Sequence, residues 1–293
     1  MSAASPEERL PSGTGHKPGV LATSATNLEQ RIASGLVMIT IALGLLYAGT
    51  LPFAFLVLAV ALVMSWEWGH LVRGASSDAA FGVHGMAVGV AVALAATGFP
   101  VLAVAVLFSG AIAVVPLSSG RRARLSATGV LYVGLPAVAL LWFRHDPRFG
   151  FAAIVFLFLV VWSTDTMAYV FGRAIGGPKL WPSISPNKTW AGFIGGIAAS
   201  AVMGGLFALF VPDASSWKLA GLGLLLGVIA QGGDLAESSL KRGFGVKDAS
   251  HLIPGHGGVM DRMDSFVAVA IAAAIIAIAV NARAPAVALL VGG

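Results

Sequence analysis

Nine runs of apolar residues, each long enough to cross about 30 Å of hydrocarbon, fall near 33–49, 51–67, 79–98, 100–117, 127–143, 150–171, 190–211, 217–236 and 265–281. Nothing else in the sequence limits the fold so strongly. Inside a bilayer the backbone N–H and C=O groups of such a run find no water, so each run must satisfy its own as a helix. The expected fold class is all-α, a polytopic integral membrane protein with about nine transmembrane helices. Composition agrees. Hydrophobic residues make up 57% of the chain and charged residues 11%, with a mean hydropathy of +0.88, whereas a soluble domain carries roughly 25% charged residues. The last apolar stretch, 284–293, is too short to span.

Residues 1–30 are rich in Ser, Gly, Pro and Thr and lack hydrophobic periodicity, which predicts a disordered cytoplasmic tail. No short apolar core with a small-residue cleavage site marks it as a secretory signal. The rest divides into N-terminal transmembrane helices, 31–145, and a C-terminal transmembrane region, 146–293, whose connections 173–189 and 237–264 are the most polar in the chain. With the N-terminus inside, fourteen Lys and Arg residues fall on the cytoplasmic side and only Arg144, Arg148, Lys218 and Arg283 fall outside. That distribution follows the positive-inside bias. Both polar connections then face the cytoplasm, as expected of a multi-pass protein of the cell membrane. Trp66, Trp68, Trp142, Trp190 and Trp217 fall at predicted helix ends, where interfacial indoles belong. The basic pI, about 9.9, does not indicate nucleic acid, because no basic stripe with interleaved aromatics accompanies it. The absence of cysteine removes disulfides and thiolate chemistry.

The chemistry concentrates in residues 234–264, which hold five of the thirteen carboxylates. Asp234, Glu237, Ser238 and Lys241 follow i, i+3, i+4, i+7 spacing and would form one stripe on a helix. A charged side chain in a membrane helix costs roughly 2.5–3.5 kcal/mol near the centre, so it is kept for a partner or a function. An Asp234–Lys241 ion pair is the plainest account. Asp261 and Asp264 open the ninth span at i, i+3, a spacing suited to a hard cation such as Mg²⁺, although acids also favour helix N-termini for dipole reasons. Pro254-Gly255-His256-Gly257-Gly258 precedes them, and glycines let backbone N–H groups approach an anion closely. Asp165, within the sixth span, admits two readings of equal weight: a packing residue bonded to Thr or Tyr neighbours, or a member of the site. Lys188 and Thr189, just before a helix, suit phosphate through charge and helix N-terminus, without the spacing of a P-loop. His84 reads as a packed, hydrogen-bonded histidine. Glu67 and His70 read as interfacial, and Arg121, Arg122 and Arg124 as topology determinants.

The run S-S-L-K-R, then K-D five residues on, then I-P-G-H-G-G-V-M-D-R-M-D resembles the signature of phosphatidate cytidylyltransferases, also called CDP-diacylglycerol synthases. Gly233-Asp234-Leu235 and Ser185-Pro186-Asn187-Lys188-Thr189 are similar to the family as well; Ala191 stands where many relatives carry Glu or Gln. The resemblance implies Mg²⁺-dependent transfer from CTP to phosphatidate, giving CDP-diacylglycerol and pyrophosphate. It leaves open one metal ion or two, and a homodimer. By the same resemblance Asp234, Lys241, Asp261 and Asp264 would be catalytic. Asp234, Asp261 and Asp264 would bind metal, with Asp248 and Glu237 as further candidates. Lys188, Ser238, Arg242, Lys247, His256, Gly257, Gly258 and Arg262 would hold the phosphates of CTP and lipid. The nearest rival is a CTP-dependent lipid kinase, which releases CDP. A secondary transporter using Asp165 and Asp234 would need an internal repeat, and none is visible.

Overall fold

The computed structural model describes residues 35–75, 77–253 and 257–292; the expected disordered tail lies outside them. Among the described residues eight helices are long and apolar enough to span: α2 (Thr50–Arg73), α3 (Ala79–Ala96), α4 (Pro100–Ala113, extended by a 3₁₀ turn to Leu117), α5 (Gly120–Arg144), α6 (Gly150–Ala174), α7 (Trp190–Phe207, with a 3₁₀ turn to Phe210), α8 (Ser216–Gly243) and α9 (Met260–Asn281). The described part of a further apolar helix, α1 (Gly35–Ala48), precedes them and corresponds to the first predicted span. A short α10 (Pro285–Leu290) follows, buried at the end of the bundle. The expectation of about nine spans agrees with this architecture.

Turn chemistry sets the boundaries. Gly49 (φ 129°) and Gly98 (φ 90°) adopt backbone conformations that a side chain would strain, and they separate α1 from α2 and α3 from α4. Pro100 stands at the first position of α4, where its missing N–H costs nothing. Asp78 caps α3 by accepting from Phe81 N at 2.8 Å, and Thr189 caps α7 by accepting from Gly192 N at 3.1 Å. One element is not helical: β1 (Lys179–Trp181) and β2 (Ser185–Thr189) form an antiparallel hairpin that pairs Lys179 with Thr189 and Trp181 with Ser185. This ribbon interrupts the all-α pattern in the connection between α6 and α7, and it aims Lys188 at the bundle.

Helices α6, α7 and α8 pack backbone to backbone. Gly192, Gly196, Ser200 and Gly204 lie buried on one face of α7. A Cβ on Gly192 would sit 2.6 Å from Ala168 O, and one on Gly196 2.8 Å from Thr164 O. On α8, Gly223 and Gly227 meet Ser200 in the same intimate way. Lipid supplies no hydrophobic drive between helices, so small residues that allow close van der Waals approach are what hold such a trio together. Large apolar side chains such as Phe55, Met86, Val101 and Leu209 remain exposed on the outside, where lipid tails replace water.

Candidate active site

Helix α8 continues through the predicted polar connection to Gly243, so Asp234, Glu237, Ser238 and Lys241 share one helix as their spacing predicts. Tertiary packing splits the stripe into two rails. Along one, Ser238 Oγ donates to Asp234 Oδ1 at 3.2 Å; along the other, Lys241 Nζ donates to Glu237 Oε1 at 3.1 Å. The plain expectation of an Asp234–Lys241 pair is not what forms. Lys241 turns to Asp261 at 2.6 Å, and Asp234 meets Lys188 at 2.6 Å.

The Lys241 rail is sealed. Lys241, Glu237 and Asp261 are all buried, and the remaining oxygen of Glu237 accepts from the Tyr132 hydroxyl of α5 at 2.7 Å. Asp261 also accepts from Ala249 N (2.9 Å to Oδ2, 3.2 Å to Oδ1) and from Gly258 N at 2.8 Å. Three donors, the ammonium and two amides, thus engage both of its oxygens. Gly258, before α9, does bring its N–H to an anion, but the anion is the protein's own Asp261. Gly257 (φ 81°) and Gly258 are needed for that close approach: a Cβ on Gly258 would lie 2.5 Å from Glu67 Oε1.

Glu67 is the residue that the sequence reading missed. It is 0% exposed, because α2 continues to Arg73 and carries it more than a turn inside the helix. Its carboxylate accepts from Ser250 Oγ (2.5 Å), Val259 N (2.9 Å) and Met260 N (2.6 Å), pinning the loop and the start of α9. Trp68, expected at the interface, is likewise buried; it donates Nε1 to Leu125 O at 2.9 Å and packs on Tyr132 with ring centroids 5.0 Å apart. A carboxylate flanked by tryptophans at the end of an apolar run was the available signal. An intramembrane ionisable residue is a site candidate by default. His84 is buried as expected, yet neither ring nitrogen has a hydrogen-bond partner among the described residues.

The Asp234 rail is less completely enclosed. Lys188 and Asp234 are half-buried, and the ammonium, though 2.6 Å from Oδ2, is not aligned for a hydrogen bond with any described group. Asp165, Asp234 and Glu237 all lie within electrostatic range of the Asp264 carboxyl, and Lys188 and Arg262 lie within range of Asp165. Ser265 Oγ lies 3.5 Å from Asp165 Oδ1. Three helices, α6, α8 and α9, and the hairpin thus bring acids and cations together at the polar end of the bundle. Acids clustered beside Lys188, whose ammonium has no aligned hydrogen bond, form a setting for metal-bridged phosphates.

A family model described as the cytidylyltransferase family matches residues 29–280. The chain belongs to that family. It is 45% identical over 253 residues to the phosphatidate cytidylyltransferase of Brucella abortus biovar 1 (strain 9-941), covering 84% of this chain and 91% of that one. The Brucella suis biovar 1 (strain 1330) protein of the same name matches to the same extent. The phosphatidate cytidylyltransferase of Staphylococcus saprophyticus is 47% identical over 138 residues, 47% of this chain and 52% of that one. Family membership makes the chain a CTP-dependent nucleotidyltransferase.

In a cytidylyltransferase the remaining cations should reach phosphates, and the structure sorts them. Arg242 donates to Val246 O at 2.8 Å and ties down the end of α8. Lys247 and Arg262 are exposed. His256 lies outside the described residues. Asp248 is half-buried beside Gly257. Among the described residues no three acidic or imidazole groups converge as a metal cage. Mg²⁺ does not need one, since it commonly binds one or two carboxylates plus substrate phosphates. Asp234 and Asp264 fit that role. Asp261 is instead engaged by Lys241 and by the amides of Ala249 and Gly258.

Proposed function

We propose that this chain transfers the cytidylyl group of CTP to phosphatidate, forming CDP-diacylglycerol and releasing pyrophosphate. The observation that carries the reading is the open pair at Lys188 and Asp234, facing Asp264 and Asp165 at one end of a membrane bundle. Lys188 brings an ammonium whose hydrogen bonds are unmade, suited to a phosphate oxygen. Arg262, near Asp165, adds a second cation that can grip two oxygens at once. Lys247 extends the positive field toward the bulk, where CTP arrives. Ser238 holds Asp234 in place.

The nucleophile needs no dedicated base, since a phosphomonoester has a second pKa of about 6 and is largely ionised at neutral pH. The obstacle is the approach of two polyanions. A divalent ion, single or paired, held by Asp234 and Asp264 would supply charge neutralisation between them. The chain's own residues orient the phosphates in line and balance charge on the departing pyrophosphate. We assign the cleft to the cytoplasmic side of the cell membrane, where the basic residues cluster.

Purified protein given CTP, phosphatidate and Mg²⁺ should yield CDP-diacylglycerol and pyrophosphate in equal amounts, and chelation should stop both. Release of CDP without a liponucleotide would replace this reading with the lipid kinase. No turnover of either kind would end both.

A further inference from the structure

We propose that Glu67 is a positioning residue for the transfer: from the N-terminal half of the chain, it sets the loop before α9 and the first turn of α9, so that Asp264 and Arg262 face the cleft. It goes beyond the site assigned above, which draws only on residues from Asp165 onward. Glu67 is fully buried on α2, and the groups it accepts from lie 183 to 193 residues away in the chain. Two are amides of the α9 N-terminus, which has no helical partner for them. The third, Ser250, is next to Ala249, whose N–H goes to Asp261. Glu67 and Asp261 therefore grip the same loop from two sides. Asp261 fixes it to α8 through Lys241, and Glu67 fixes it to α2. Asp264 and Arg262 follow within the same helical turn, so a shift of that turn moves both.

The chemistry of the grip needs a carboxylate. Oε1 accepts from Ser250 and Val259, and Oε2 accepts from Met260. A glutamine of the same shape would point its amide donors at one of those N–H groups in either orientation, leaving a buried donor without an acceptor. The helix dipole also favours a negative charge there.

Glu67→Gln, purified in detergent beside the unchanged protein, tests the idea with three readings: kcat and KM for CTP, melting temperature, and amide hydrogen exchange. A small displacement of catalytic groups can cost up to about 10²-fold in rate. We expect kcat to fall roughly tenfold or more, KM for CTP to change less than about threefold, and exchange to rise only across 249–253 and 257–264. Unchanged kcat, or unchanged exchange in that segment, would overturn the proposal. So would a loss of activity accompanied by faster exchange throughout the helices, which would make Glu67 a general structural residue. If Glu67→Gln does not fold, Ser250→Ala decides. A fall in kcat of about two- to fivefold at constant KM supports the role, and an unchanged kcat overturns it. Asp264→Asn separates this idea from the site assignment: full activity in that variant would fault the assignment, whatever Glu67→Gln does.

Discussion

Lys188–Asp234 and Lys241–Asp261 are the same two residue types at the same 2.6 Å separation, yet their surroundings give them different work. The Lys241–Asp261 pair has side chains 8% and 4% exposed; the ammonium also donates to a second carboxylate, Glu237, and Asp261 also accepts from two backbone amides. Two charges taken out of water and fully satisfied are a structural joint. In the Lys188–Asp234 pair the side chains are 19% and 28% exposed, and the ammonium touches only the one carboxylate, without an aligned hydrogen bond to any described group. That pair is prepared for something else. Distance between charges says little about role; the count of unmet hydrogen bonds says more.

Three substitutions would break or sharpen the contrast. The largest effect is expected from Asp234→Asn, which should lower kcat/KM by about 10²–10³-fold while the melting temperature stays within a few degrees. A comparable loss of stability would place Asp234 with the joint. Next, Lys241→Met removes one member of a buried charge group and strands the others, at a cost of about 3–5 kcal/mol. That should lower the melting temperature by about 2–4 °C per kcal/mol in a chain of this size. A variant as stable as the parent would show that burial does not distinguish the pairs.

The smallest effect concerns a third pair, outside the cleft. Arg73 grips Asp78 with two bonds of 2.7 and 2.9 Å, and the Arg73 guanidinium holds the Asp78 carboxyl below its ordinary value. A carboxylate with a depressed folded pKa stabilises above its unfolded value, near 3.9, and that contribution is lost as pH falls through the folded one. Asp78→Asn should therefore cost roughly 1–3 kcal/mol at pH 7. The difference in melting temperature between the two proteins should shrink as pH drops below about 4. A pH-independent difference would mean that the pair acts through packing alone.

Much of this molecule was legible before any coordinates. Eight observed spans begin and end within a few residues of the predicted runs, except where polar residues start or finish a helix, as at Gly120 and Gly243. Hydropathy marks where lipid demands apolar side chains, and helices α5 and α8 continue past that limit because their polar ends find partners. The same blind spot hid Glu67, which the hydropathy window left at a helix end and α2 carries inside. Tyr132 gave no signal, since a tyrosine in an apolar run has many uses; only its bond to Glu237, 105 residues on, gives it one.

By itself the sequence determined the membrane-spanning helical fold, the polar stripe on α8 and the set of acids and cations from which the site is drawn. Helical period and bilayer thickness are local constraints, and they need no knowledge of neighbours. Which carboxylates are spent and which are free is not local. The resemblance implied that Asp261 holds metal and that Lys241 is catalytic, yet the two pair with each other once α9 packs on α8. A helix's period tells which residues share a face, and only the packed bundle decides what that face meets.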